Sequence, residues 1–131
     1  MPHVTGNFDV TLQPLDAYNQ DEGAGLARMS IEKQFHGDLD ASSKGEMLSA
    51  MGNVKGSAGY VAIERVSGTL AGRSGSFALQ HNATMTRGEP FLNIVVVADS
   101  GSGALAGLSG SMKIIIADGR HSYEFDYTLA D

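Results

Sequence analysis

His81 is the residue best equipped to do chemistry in this chain. It alternates with Phe77 and Leu79, so in an extended strand the three side chains share one face. On that face an imidazole would act as a general base or hydrogen-bond donor inside a cavity. Alternatively it is a core histidine held by a carbonyl or another polar group, as most buried polar groups are. Arg65 joins the same face if the chain turns back around Ala71-Gly72-Arg73. An inward arginine beside a histidine would hold a ligand carboxylate. Glu46 and Glu64 are the carboxylates best placed within strand-like segments; burial would raise the pKa of either and let it move protons near neutrality. His121, Tyr123, Phe125 and Tyr127 alternate near the end of the chain. They make an aromatic face suited to an apolar ligand with a few orienting polar groups, or to plain core packing.

Other chemistries find little support. The histidines at 3, 36, 81 and 121 show no His-x-His or His-Glu-x-x-His spacing, and there is no cysteine, so neither a metal nor another cofactor is expected. The phrase Gly-x-Leu-Ala-Gly-x-Ser-Gly-Ser occurs twice, at 68–76 and 103–111. A phosphate-binding loop would lead into a helix, often through Lys-Ser or Lys-Thr. Here the copies run into Phe77-Ala-Leu-Gln80 and Met112-Lys-Ile-Ile-Ile116, which read as strands. A period of about 35 residues signals a repeated supersecondary unit, a strand, a glycine-rich turn and a returning strand.

The elements that must carry these residues are nearly all strands. Period-2 alternation and turn signals place eight of them at roughly 3–13, 26–36, 38–50, 57–67, 74–85, 90–99, 105–117 and 120–129, with a long loop over 14–25. Asp118-Gly119 suits a type I′ hairpin turn, whose central residues both need positive φ. It pairs Ile116 with His121, Ile114 with Tyr123 and Met112 with Phe125 on one face, and Lys113 with Glu124 on the other. Consecutive antiparallel strands without a covering helix bury one face and hide their edges by closing, so the expected fold is all-β, a closed eight-stranded antiparallel β-barrel forming one domain over 1–131. Such a barrel is filled by side chains or holds one small ligand. The segments 91–98 and 112–117 are apolar on both faces, and a second copy of the chain is the expected cover for the outer one.

The phrase at 68–76 with its continuation to His81, the stretch Asp99 to Ser111, and the ending His121-Ser-Tyr-Glu-Phe-Asp-Tyr-Thr-Leu129 resemble a bacterial family of small proteins of unknown function. Gly37-Asp-Leu39 leading into Gly45-Glu-Met-Leu48 resembles the front half of that family. The resemblance implies a barrel like that of plant allene oxide cyclase, assembled as dimers or other small oligomers, and carries no activity with it. Composition limits the partners further. With 9 Lys plus Arg against 15 Asp plus Glu, the 131-residue chain carries a net charge of −6 and no basic cluster, which argues against nucleic acid and anionic membranes. The start of the chain lacks a signal-peptide layout and no apolar run is long enough to span a bilayer, so a cytoplasmic protein is expected. The functional expectation is a homo-oligomeric barrel that binds a small, mostly apolar molecule bearing an acidic or hydroxyl group. Its site would draw on His81, Arg65, His121, Tyr123, Tyr127, Phe77, Glu64 and Glu46. The alternatives are an isomerase or cyclase using a cavity His or Glu, and a purely structural oligomerisation module.

Overall fold

A computed structural model describes residues 2–130; Met1 and Asp131, the ends of the expected 1–131 domain, lie outside the described residues. The strands are β1 (His3–Leu15), β2 (Leu26–Gly37), β3 (Leu39–Met51), β4 (Ala58–Leu70), β5 (Arg73–Thr86), β6 (Glu89–Val96), β7 (Ser102–Gly103), β8 (Ser109–Ala117) and β9 (Arg120–Thr128). The eight long ones pair antiparallel with their sequence neighbours, and β1 closes on β9, so the barrel is complete. Among the described residues no helix is long and apolar enough to cross a membrane.

Three hairpins are built on two-residue turns with positive φ at both positions: Ala71-Gly72 (49° and 84°), Arg87-Gly88 (46° and 91°) and Asp118-Gly119 (53° and 74°). At Asp118-Gly119 the expected register holds, with Ile116 opposite His121, Met112 opposite Phe125 and Lys113 opposite Glu124. At Ala71-Gly72 it does not. Leu70 pairs with Arg73, so Arg73 belongs to the strand and not to the turn. A slip of one residue moves every side chain to the other face. Tyr60, Ala62, Glu64 and Val66 therefore point inward with Phe77, Leu79 and His81, while Val61, Ile63 and Arg65 point out.

The second glycine phrase also departs from expectation. It makes no hairpin. Gly103 pairs with Gly75 as part of the short β7, and residues 104–107 form a tight turn that buries Leu105 and Leu108, so β8 starts at Ser109 and not at 105. These leucines join Leu39, Leu70, Phe77, Phe125 and Tyr127 in an apolar cluster that fills one end of the barrel. At the other end the inward positions become exposed: Leu12 on β1, Met85 on β5 and Leu92 on β6 are 41–43% accessible although they alternate in phase with buried residues. The barrel is thus sealed at one end, while at the other its inner wall is partly exposed.

The Ala71-Gly72 turn can be checked by mutation. A side chain at Gly72 would meet nothing within 4 Å, so Gly72→Ala tests conformation alone and should destabilise by about 1 kcal/mol. Ala71→Asn should stabilise by a few tenths of a kcal/mol to about 1 kcal/mol, because asparagine tolerates positive φ better than alanine. Urea midpoints moving in the opposite directions would contradict the turn type.

Candidate functional site

The register that turns Glu64 inward brings it together with His81, and β2 and β3 supply two residues that complete the group. Glu64 is fully buried. His81 Nε2 donates to its Oε2 at 2.6 Å, Lys33 Nζ donates to the same oxygen at 2.8 Å, and Ser43 Oγ donates to Oε1 at 2.7 Å. Lys33, Ser43 and His81 are themselves buried. The Lys33 ammonium also lies 5.1 Å from the centroid of the Phe8 ring and 5.7 Å from that of Phe35, where the ring quadrupoles favour a cation. Gly45 faces Glu64 across the β3–β4 ladder. A Cβ there would fall 2.0 Å from the Ile63 carbonyl and 2.5 Å from the Glu64 Cα, so only glycine lets β3 approach this closely.

Burial by itself would raise the Glu64 pKa. The hydrogen bond from His81, the charge and hydrogen bond of Lys33 and the charge that His81 carries when protonated outweigh it and bring the value from 4.5 down to about 2. The expectation that a buried carboxylate here would be raised into the proton-transfer range is corrected: Glu64 is an ionised acceptor. An ionised carboxylate only accepts, so the hydrogen shared with His81 sits on Nε2. His81 Nδ1 is buried and has no hydrogen-bond partner. The Tyr60 ring, next along β4 toward the partly exposed end, stands 6.4 Å from the imidazole, and burial and the Glu64 charge raise the pKa of its hydroxyl.

The remaining expected site residues are dispersed. Arg65 is outside because of the turn register, and its guanidinium donates to the Ser100 carbonyl at 3.3 Å. Glu46 is likewise outside, its β3 position being out of phase with the inward Ser43, and it pairs with Arg28 at 2.6 Å. Phe77 and Tyr127 stack on Phe125 at centroid separations of 5.9 and 5.4 Å in the sealed end. Tyr123 is inward but structural: its hydroxyl donates to the His36 carbonyl at 2.8 Å and accepts from the Leu39 amide at 3.3 Å. His121 is half-buried and faces the Phe8 ring at 5.3 Å. Lys33 and Ser43 are absent from the expected set. The signal for Lys33 lies in Ile31-Glu-Lys-Gln-Phe35, where a lysine takes the inward place between two apolar residues. Among the described residues no cluster of His, Cys, Asp or Glu has the makings of a metal site.

Toward the partly exposed end, alternation along the continuous ladders places Leu12, Met29, Met47, Tyr60, Met85 and Leu92 on the inner wall. Fold and site together define a small closed β-barrel with a partly exposed apolar inner wall at one end and a buried Lys-Glu-His group in its interior. Residues 4–127 match the family described as Protein of unknown function (DUF3224), and the chain belongs to that family. It is also similar to a solved structure, a DUF3224-family protein of unknown function from Shewanella oneidensis MR-1. The two share 54% identity over 100% of this chain and 98% of that one, with a TM-score of 0.94. Comparison with curated proteins yields no match.

The folded-state pKa of Glu64 lies below its ordinary value. Its contribution is therefore fully present above about pH 4.5 and lost as the pH falls toward 2, a difference of about 3 kcal/mol. Carboxyl carbon shifts followed by NMR should show Glu64 still ionised at pH 3. A midpoint at 4 or above would contradict the arrangement.

Proposed function

We propose that the barrel is a binding cup for a small, mostly apolar molecule, entering at the end lined by Leu12, Met29, Met47, Tyr60, Met85 and Leu92. One observation carries the reading: inward positions that are sealed at the Leu105 end become 41–43% exposed at the other, although the barrel could bury them. Apolar walls over a few polar groups are the usual make-up of small-molecule sites. Unbranched methionine side chains adapt to ligands of varied shape. A melting scan against fatty acids, alkylphenols and polyketide-like compounds should raise the midpoint with at least one class. Met47→Trp, which fills the cup from a half-buried position, should abolish that shift while the protein stays folded. No shift with any class, or an undiminished shift in the variant, counts against the cup.

The Glu64–His81 pair favours a second reading, an isomerase or cyclase in which His81 is the proton-transfer group. A carboxylate that fixes one ring nitrogen as donor leaves the other as the base, the same logic that orients catalytic histidines elsewhere.

Self-association is proposed on the outer wall, where Leu48, Val61 and Ile63 are all more than half exposed around a hollow of about 660 Å³ edged by the Arg28–Glu46 ion pair. A second copy suits this patch, because a surface with both signs at its rim complements itself across a twofold axis. Wild type should sediment as a dimer or small oligomer and Ile63→Arg as a monomer. A monomeric wild type at high concentration refutes this interface.

A further inference from the structure

We infer that the cup selects uncharged ligands that bring a hydroxyl hydrogen, and that His81 Nδ1 is the atom that receives it. This rests on the cup reading and adds the chemical class of its occupant. Two observations carry it, one about hydrogen bonds and one about charge.

Glu64 holds the Nε2 hydrogen of His81, which leaves Nδ1 as a lone-pair acceptor in the neutral ring. That acceptor is buried without a partner. An unmet polar atom in such a place costs about 1–3 kcal/mol, and a ligand O–H that reaches it recovers that energy on binding. The three other buried polar groups already serve one another, since Lys33 and Ser43 are both committed to Glu64. Nδ1 is the atom left open. It is closed from solvent, so the side chains around it, the Tyr60 ring 6.4 Å from the imidazole among them, must move aside for a ligand to touch it.

Charge decides against an acid. Lys33 is the only buried lysine or arginine among the described residues, and its charge is balanced by Glu64 at 2.8 Å. Arg65, the cation that would have received a ligand carboxylate, is on the outside, and Arg28 is outside with Glu46. A carboxylate drawn down to His81 would bring a second negative charge toward Glu64 in a medium of low dielectric, where the buried cation, Lys33, is already paired.

Three compounds of matched shape separate these effects: para-butylphenol, butylbenzene and para-butylbenzoate, titrated against the wild-type protein. The phenol should bind about tenfold more tightly than either of the others, the equivalent of one recovered hydrogen bond. In His81→Phe its advantage over butylbenzene should vanish. Long-range nitrogen–proton NMR on histidine-labelled wild type needs no variant; it should show His81 protonated at Nε2 and bare at Nδ1, with the Nδ1 resonance moving when the phenol binds. Butylbenzene binding as tightly as the phenol would overturn the anchor and leave the cup standing. Tightest binding of the benzoate, or a proton found on Nδ1 in place of Nε2, overturns the charge argument or the tautomer. If none of the three binds, cup and anchor fall together.

Discussion

A carboxylate with no exposure to water must be neutralised and hydrogen-bonded or be expelled, and Glu64 sets that condition for half of this barrel. Its donors come from three other strands, Lys33 on β2, Ser43 on β3 and His81 on β5, so the pairings from β2 through β5 have to be right together. Slip any one of them by a residue and its donor leaves the interior. The need extends to the backbone, since Gly45 keeps β3 close enough for the group to assemble.

The two ends of the barrel solve opposite problems. Leu105 and Leu108, turned inward by the second glycine phrase, seal one end together with the stacked Phe77, Phe125 and Tyr127. The first copy of the same phrase makes a hairpin instead, with Leu70 buried at the strand end. Near-identical phrases thus take different shapes because their packing partners differ: Gly68 to Leu70 are paired along β3, whereas Gly103 meets only Gly75 before the chain turns. Tertiary context overrides local pattern. The packed cluster is concentrated at the sealed end, and Met29, Met47 and Met85 lie toward the other.

Much of this is legible in the sequence. The eight long strands, their order, the closure and the β8–β9 register come from alternation and from Asp118-Gly119, where sequence and turn chemistry agree. The failure on β4 has a specific cause. Ala71 adopts a positive φ that alanine seldom takes, so nothing in its identity announces a two-residue turn, and the resulting slip exchanges Arg65 for Glu64. The alternation of His81 with Phe77 and Leu79 gives its face correctly but the wrong companion. Lys33 is illegible because a lysine in a strand reads as solvated unless the inward phase of that strand is already known, and the first four strands offer no turn as decisive as Asp118-Gly119 to establish it.

Nearly every long strand pairs with the next along the chain, and one pairing joins its far ends. That pairing is the seam where His3 to Phe8 lie against His121 to Asp126. Loop-closure entropy grows only slowly with length, so this single distant pairing adds little to the thermodynamic cost of the barrel. Its effect is topological. The chain's first and last strands run side by side, and a short peptide joining them would let the polypeptide be recut at Ala71-Gly72 without removing any ladder. The circle, and not the order in which it is written, is the unit this fold preserves.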